Sequence, residues 1–308
     1  MRMLITGGTG FIGSYLVKLL CKNKHELLLV AGPNSDFWRI GACLDKIKVL
    51  TCDYFSIENL EQEIFKFKPE VLFHLGWSGV ANNSRNDFAQ VTSNLKSTFD
   101  LLSICHKADC KRWVILGSQA EYGPLNRIAK EEDLTSPTTL YGTVKLSVQL
   151  IASQLSKLCN SKLVWVRVFS TYGPMDHEYW MLPSVINQLL NKKIPKLTLG
   201  EQLWDYLYVE DAVEAIYQLG INQKAEGVFN LGSGKVQSIK NIVEMISVYI
   251  DKNIKLKFGE VPYREDQVMH LQADITKIKS TINWYPKTKL EYGIKKTVDW
   301  YRGKLNAN

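Results

Sequence analysis

A tyrosine and a lysine four positions apart, Tyr141 and Lys145, have the spacing of a proton-transfer pair. On a helix, this spacing places the ammonium group one turn from the phenol, where it favours the phenolate and lowers the tyrosine pKa toward neutral pH. Ser118 lies upstream at the carboxyl end of a predicted strand, where parallel sheets bind their ligands. The alternative interpretation is a core tyrosine and a helix-capping serine.

Two other tyrosines precede a lysine at the same spacing, so the spacing alone is a weak signal. Tyr285 and Lys289 form one such pair, but Pro286 follows the tyrosine and disfavours a helical conformation there. Tyr292 and Lys296 lie on the last predicted helix, far in sequence from other candidate residues, and are expected on the surface. The first pair is therefore the candidate for catalysis.

A glycine-rich turn near the amino terminus points to a dinucleotide. Gly7, Gly10 and Gly13 lie between a predicted strand at residues 3–6 and a predicted helix at residues 11–20. Glycines at these positions let the backbone N–H groups approach a pyrophosphate at the helix amino terminus, whose dipole favours the anion. The strand–turn–helix context predicts dinucleotide binding.

The choice between NAD and NADP depends on residues after the second predicted strand. An acidic residue there would bind the adenosine ribose of NAD, but Val30 is followed by Ala31. Asp36 could serve NAD and Arg39 could serve NADP, so the prediction is NAD(P) with a slight preference for NAD. Asp53 could accept a hydrogen bond from the adenine amino group, or could cap the next helix.

The elements that must position these residues alternate between short apolar runs and helical patterns. Predicted strands lie at residues 3–6, 26–30, 47–52, 71–74, 113–117, 163–169, 206–209 and 228–231. Predicted helices lie between them at residues 11–20, 57–67, 91–106 and 140–157. This alternation predicts right-handed crossovers and an α/β fold, a doubly wound parallel sheet covered on both faces.

The rhythm becomes less regular after residue 173, which predicts a second, smaller lobe. We expect residues 1–171, with about 202–233, to form the cofactor-binding domain. Residues of about 172–201 and 234–308 are expected to form a discontinuous α/β lobe that binds the substrate.

Composition excludes several classes of protein. The 308 residues are 45% hydrophobic with a net charge of +7, a globular composition without the clustered basic and aromatic stripe of a nucleic-acid-binding protein. No apolar run is long enough to cross a membrane, and no signal peptide is evident, so we expect a cytoplasmic protein. The six cysteines form no CxxC pair and the five histidines no metal-binding motif, so no metal is expected.

Taken together, these features resemble an extended short-chain dehydrogenase/reductase of the NAD-dependent epimerase/dehydratase family, whose members act on nucleotide sugars. The matching positions cover nearly the full chain: GGTGFIG at 7–13, Asp53, 74–76, Asn94, Ser118, 122–123, Tyr141 with Lys145, 167–174, 204–211, 230–234, 264–266 and 273–274. The resemblance implies a Rossmann-type domain and a nucleotide-diphosphate sugar as substrate.

The family's residue roles can be carried over position by position. Tyr141 would be the acid/base, Lys145 would hold the nicotinamide ribose, and Ser118 would bind the reacting sugar oxygen. The implied cofactor-binding residues are Gly7, Gly10, Phe11, Ile12, Gly13, Asp53, Leu75, Gly76, Asn94, Tyr141 and Lys145. The implied substrate-binding residues are Ser78, Gln119, Ser170, His177 and Arg264, the last as a clamp for the diphosphate.

Departures from the family pattern narrow the implied reaction. Dehydratases of the family carry an aspartate and a glutamate where Gln119 and Ala120 stand here. GDP-fucose synthases carry a cysteine at position 120 and a histidine where Trp180 stands, although His177 could replace the latter. Redox chemistry at C4 remains, and residues 119–124 resemble CDP-abequose synthase-like 4-ketoreductases.

Two further departures concern the diphosphate, because Trp204 replaces a common arginine and Ser170 a common asparagine. Because residues 119–124 favour redox chemistry at C4, we expect a 4-dehydrogenase or 4-ketoreductase that makes sugars for surface polysaccharides. The alternatives are a nucleotide-sugar 4-epimerase and, in a different class, a non-catalytic dinucleotide sensor. By analogy with the family, the chain is expected to form a homodimer or a higher homo-oligomer.

Overall fold

The computed structural model describes residues 1–52, 57–81, 84–265 and 267–307. Its main sheet contains β1 (Arg2–Thr6), β2 (Glu26–Ala31), β3 (Lys48–Thr51), β4 (Val71–His74), β5 (Arg112–Ser118), β7 (Lys162–Val168) and β11 (Gly227–Leu231). The helices are α1 (Phe11–Lys22), α2 (Ile57–Phe67), α3 (Lys96–Lys107), α4 (Leu140–Leu158), α5 (Met181–Leu190), α6 (Val209–Ile221), α7 (Ile239–Ile250), α8 (Thr276–Ile282) and α9 (Leu290–Ala307).

The main sheet is parallel and doubly wound, as predicted. Its strand order in the described residues is β11-β7-β5-β4-β1-β2-β3, so the order reverses between β1 and β4. Ligands of such sheets bind at the reversal point, outside the carboxyl ends of the strands. Most residues of β5 and β7 are apolar and buried, as expected where helices cover both faces of a parallel sheet. The predicted fold class is confirmed.

Two apolar layers hold the helices against the sheet. On one face, α1 and α6 pack through residues such as Leu16 and Ile216. On the other face, α2, α3 and α4 pack through residues such as Ile64, Leu101 and Val148. These layers fix the first turns of α1 and α4 near the central strands of the sheet. Along the chain, α1 follows β1 and α4 follows β5.

A separate apolar cluster joins α5, α7 and α9. Val185, Ile242 and Val298 are buried together there, away from the main sheet. The remaining strands are short: β6 (Ile128–Ala129), β8 (Ser170–Tyr172), β9 (Leu203–Trp204), β10 (Tyr206–Tyr208), β12 (Gln237–Ser238) and β13 (His270–Ala273). We propose that this cluster is the core of the smaller lobe predicted at about 172–201 and 234–308.

The structure differs from the predicted elements in two places near the cofactor site. The predicted helix at 91–106 begins with a wider turn, a π-helix at Gln90–Leu95, before α3. A stretch of 3-10 helix at Trp38–Lys46 fills the connection after β2, where the sequence indicated no regular element. Runs of 3-10 helix longer than about three or four residues are uncommon, so a sequence pattern gives no reason to expect nine of them here.

Candidate active site

Tyr141 and Ser118 are hydrogen-bonded to each other at the carboxyl end of β5. Ser118 is the last residue of β5, and Tyr141 lies in the first turn of α4. That turn is fixed by Thr139, whose hydroxyl accepts a hydrogen bond from the Gly142 N–H group at 3.2 Å. The backbone N–H group of Tyr141 also donates to the Arg85 carbonyl oxygen at 2.8 Å. The structure thus brings together two of the three predicted catalytic residues.

Lys145 lies one turn further along α4 and is 4% exposed. Its Nζ donates to the Leu116 carbonyl oxygen of β5 at 2.7 Å. The same atom lies 3.5 Å from the centre of the Trp77 ring and 6.0 Å from the centre of the Tyr141 ring. The indole therefore stabilises the ammonium form in a place with little access to water.

The protonation of the pair differs from the expectation of an acidic phenol. Burial raises the pKa of Tyr141, and this effect outweighs the opposite effects of the Ser118 hydrogen bond and the Arg85 charge. Burial also lowers the pKa of Lys145 to about 7, so only part of the Lys145 population carries the positive charge at neutral pH. In this structure the phenol is protonated at neutral pH, and the predicted lowering of its pKa is wrong.

The glycine turn lines a cavity of about 510 Å³ at the point where the strand order reverses. Of the predicted cofactor-binding residues, Gly7, Gly10, Leu75, Gly76 and Asn94 line it, as does the predicted substrate residue Ser78. Phe11, Ile12 and Gly13 form the first turn of α1 beside it. Trp77 lines the cavity and also contacts Lys145 and Tyr141, so the cavity adjoins the candidate catalytic pair.

A buried glutamine that no sequence motif singles out holds the loop that carries Trp77. The Gln90 side chain is 1% exposed, and its Oε1 accepts a hydrogen bond from Trp77 Nε1 at 2.9 Å. Its Nε2 donates to the carbonyl oxygens of Gly79 and Ser84. Asn94 adds a pair of bonds to the backbone of Ser78. A lone glutamine carries no sequence signal for this role, because its partners come from the separate loop that carries Trp77.

Two unusual residues of the predicted diphosphate site turn out to be partners. Trp204 Nε1 donates a hydrogen bond to Ser170 Oγ at 2.7 Å. The predicted substrate residue His177 lies nearby in sequence and stacks on Tyr179, with ring centres 5.2 Å apart. Burial, together with the charge of Arg39, lowers the pKa of His177 and keeps its imidazole neutral at pH 7.

The other predicted residues are distributed around these groups. Gln119 is half-buried beside Ser118, in a single 3-10 turn at Gln119–Glu121. Arg264 is exposed in the connection between α7 and β13. Asp53 lies outside the described residues.

The glycine turn fits a dinucleotide because a side chain at Gly7 would clash with the backbone that follows β4. Gly7 has a φ angle of +70°, and a Cβ atom built on it would lie 2.5 Å from the Gly76 nitrogen. The turn therefore brings the ends of β1 and β4 together and leaves the backbone and the α1 amino terminus open to a phosphate.

Neither candidate for the adenosine ribose is positioned as a specific clamp. Arg39 donates through Nε to the Met175 carbonyl oxygen at 3.0 Å and stacks on Trp38. Asp36 accepts a hydrogen bond from the Trp38 backbone N–H group at 3.0 Å.

The sequence of the chain matches a known protein family. The sequence pattern of the NAD dependent epimerase/dehydratase family matches residues 3–232. The chain belongs to this family. It is therefore an enzyme with a nicotinamide dinucleotide as cofactor, in a family that acts on nucleotide sugars, and the interpretation as a non-catalytic sensor is wrong. The predicted family and cofactor class are confirmed.

Full-length relatives have different reactions. The UDP-glucuronate 4-epimerase of Thermodesulfobacterium geofontis is 26% identical over 96% of this chain and 95% of its own. The dTDP-glucose 4,6-dehydratase of Haemophilus influenzae is 23% identical over 98% of both chains. A solved UDP-glucose 4-epimerase from Thermotoga maritima, with UDP-glucose, has a TM-score of 0.90 at 24% identity and covers 99% of this chain and 100% of its own. The last comparison confirms the fold.

The described residues also lack the features of a membrane span and of a metal site. No helix among them has both the length and the apolar composition needed to span a bilayer. Within the same residues, no three His, Cys, Asp or Glu side chains are grouped so as to bind a metal ion.

Proposed function

We propose that this enzyme oxidises or reduces C4 of a nucleotide-diphosphate-linked sugar or deoxysugar, in the cytoplasm, for surface-polysaccharide synthesis. The observation that carries the proposal is the hydrogen-bonded Tyr141–Ser118 pair beside Lys145, at the edge of the cofactor cavity. A phenol beside a hydroxyl can exchange one proton with a sugar oxygen, and this is the proton transfer that alcohol–ketone chemistry requires.

Each residue has one step in the proposed reaction. The nicotinamide cofactor supplies or accepts the hydride when bound. Ser118 Oγ holds the C4 oxygen, and Tyr141 Oη donates a proton to that oxygen in reduction or accepts one in oxidation. Lys145, whose Nζ donates to the Leu116 carbonyl oxygen, would hold the nicotinamide ribose beside the phenol. Because the phenol is protonated in this structure, the reductive direction needs no prior ionisation of Tyr141.

Water loss is disfavoured because the nearby carboxylate is already engaged. Glu121 is the acidic residue closest in sequence to Gln119 and Ala120, where dehydratases carry their acidic pair. It is 0% exposed and its carboxylate accepts hydrogen bonds from Ser118, Trp165 and Arg167. A carboxylate held in this way is not available to protonate a leaving hydroxyl group.

A panel of nucleotide sugars and their 4-keto derivatives tests the proposal. Each compound is incubated with NAD or NADP, oxidised or reduced, and followed by nicotinamide absorbance and product NMR. We expect a stoichiometric change in NADH or NADPH with a change at C4 only. A sugar that inverts at C4 without net change in the nicotinamide would instead establish the 4-epimerase, which the epimerase relative favours.

We further propose NAD as the preferred dinucleotide, because Arg39 is directed toward Met175 in the neighbouring segment. The Arg39→Ala variant is expected to leave the ratio of NAD to NADP affinities within about twofold of wild type. Calorimetric titration of both cofactors measures this ratio. A selective loss of NADP affinity in the variant would show that Arg39 binds the 2′-phosphate.

We also propose a homodimer formed through α3 and α4. Apolar side chains are exposed on α4, with Leu150 at 57% and Leu158 at 82%, and Phe88 is exposed before α3. The Leu150→Arg variant is expected to be monomeric at micromolar concentration by light scattering, because it buries a charge in the interface. Val248→Arg, at a residue 62% exposed on α7, is the control and should remain dimeric. A wild-type monomer contradicts the proposal.

A further inference from the structure

A fully buried carboxylate lies directly beneath the candidate catalytic serine. Glu121 ends the 3-10 turn that follows β5 and is 0% exposed. Its Oε1 accepts hydrogen bonds from the Ser118 N–H group at 2.8 Å and from Trp165 Nε1 at 3.0 Å. Its Oε2 accepts one from Arg167 Nε at 2.7 Å. These partners are all donors, and Arg167 is a cation, so they favour the ionised carboxylate against the burial that raises the pKa of Glu121.

The counter-ion of Glu121 is buried as well. Arg167 lies on β7, is 3% exposed, and has its guanidinium 4.4 Å from the centre of the Tyr122 ring. Its Nη1 donates to the Glu131 carbonyl oxygen at 3.3 Å. A buried ion pair is often no more stabilising than apolar residues of similar volume, because both charges lose their hydration. The stability of the folded protein therefore does not by itself explain why Glu121 and Arg167 are charged residues.

The absence of a side chain at Gly117 on β5 leaves room for the Glu121 carboxylate. A Cβ atom on Gly117 would overlap Trp165 Nε1 and Glu121 Oε1, so the carboxylate occupies space that a side chain on β5 would fill. Ser118 and Glu121 also form a reciprocal pair: the Ser118 hydroxyl caps the turn, and the Glu121 side chain binds the Ser118 backbone. Glu121 thereby fixes the backbone from which Ser118 Oγ reaches Tyr141.

We propose that Glu121, paired with Arg167, is a positioning residue that holds Ser118 toward Tyr141 and sets the charge balance at Tyr141 and Lys145. The proposal rests on the proposed function, which assigns the proton transfer to Tyr141. It extends that function because Glu121 acts through its neighbours and not on the substrate.

The charges that face the pair give the sign of the expected effect. Glu121 raises the pKa of both Tyr141 and Lys145 from beneath, and Arg85 lowers the pKa of Tyr141 from the loop before α3. His74 lies on β4 nearby and is neutral, since burial lowers its pKa to about 3. Removing the negative charge of Glu121 should therefore lower the pKa of Tyr141 and of Lys145 together.

The Glu121→Gln variant removes the charge and retains an oxygen acceptor for the Ser118 N–H group. We expect both limbs of its kcat/KM–pH profile to move about 0.5–1 pH unit lower, the size of shift that one buried charge produces nearby. The KM for the nicotinamide cofactor should stay within about threefold, while kcat at pH 8 falls about tenfold or more. A wild-type profile in the folded variant would overturn the proposal.

Glu131→Gln is the matched control because it alters a carboxylate of the same network. Glu131 Oε1 accepts a hydrogen bond from the Asn230 N–H group at 2.8 Å, and the Glu131 carbonyl oxygen accepts one from Arg167 Nη1. Its pH profile should coincide with that of wild type. A shift equal to that of Glu121→Gln would mean that the pH profile responds to any loss of charge in the network, which contradicts a specific role of Glu121.

A second variant covers the case in which Glu121→Gln does not fold, since its amide would face the Arg167 guanidinium. The double variant Glu121→Leu/Arg167→Met replaces both charges with apolar groups and is expected to fold and bind the nicotinamide cofactor. We expect its kcat to fall about tenfold or more. Wild-type kcat and pH dependence in this variant would show that the ion pair is only structural.

A titration without turnover separates this proposal from the proposed function. The Lys145 Nζ resonance can be followed by nitrogen NMR against pH in the cofactor-free protein, and Glu121→Gln should lower its midpoint. An unchanged midpoint overturns the role of Glu121 even if the sugar chemistry is found. Absence of turnover on every nucleotide sugar, with a shifted midpoint, contradicts the proposed function and leaves the electrostatic role of Glu121 intact.

Discussion

Replacing Tyr141 with phenylalanine is expected to lower kcat by roughly 10³-fold while the nicotinamide cofactor still binds. The substitution keeps the ring, which packs edge-on against Trp77 with centres 6.2 Å apart, and removes only the hydroxyl that bonds to Ser118. Proton transfer by a positioned side chain contributes about 10²–10⁴-fold to a rate, so its loss should dominate the kinetics. Nicotinamide absorbance measures turnover, and calorimetry measures cofactor affinity.

The chain contains its own control for this variant. Tyr292 lies four residues before Lys296, whose Nζ is 5.0 Å from the tyrosine ring centre, so the spacing and the contact resemble those of the candidate pair. Tyr292 is 56% exposed on α9, and Tyr292→Phe should leave kcat unchanged. Turnover at the wild-type rate by Tyr141→Phe would refute the assignment of Tyr141.

The second large effect is expected at the glycine turn. In the Gly7→Ala variant, the new methyl group would lie 2.5 Å from the Gly76 nitrogen and 2.6 Å from the Leu75 carbonyl carbon, at a φ angle of +70°. The backbone has to move away, and strain of about 1–3 kcal/mol comes on top of the clash. We expect NAD affinity to fall at least about 100-fold, as measured by calorimetric titration.

Gly41→Ala is the corresponding control. Gly41 lies in the 3-10 segment at Trp38–Lys46, and a Cβ atom there has no described neighbour within 4 Å. Circular dichroism and thermal unfolding should show that both alanine variants are folded. If Gly7→Ala binds NAD as tightly as Gly41→Ala does, the turn is not the phosphate-binding element.

Much of this site follows from local sequence. The β1 strand, the glycine turn and α1 are adjacent in sequence, so their arrangement is a matter of local backbone geometry, and the structure agrees with the prediction. The place of Ser118 at the end of β5 and of Tyr141 and Lys145 at the start of α4 also follows from periodicity and from the parallel-sheet rule.

Other features depend on contacts between distant segments. The bond between Trp204 and Ser170 joins β9 to β8, and the ion pair between Glu121 and Arg167 joins a turn to β7. Neither pair has a spacing that a pattern could recognise. Arg39 illustrates the same limit, since its sequence position was compatible with a ribose phosphate and its side chain instead contacts Met175.

The sequence by itself determined the fold class, the dinucleotide turn and the identity of the candidate proton-transfer residues, because each depends on neighbours within a few positions along the chain. Only the tertiary structure decided their electrostatic state. Burial of Tyr141 and Lys145 between β5, α4 and the Trp77 loop raises one pKa and lowers the other. Desolvation depends on everything packed around a group, and that is a property of the assembled core.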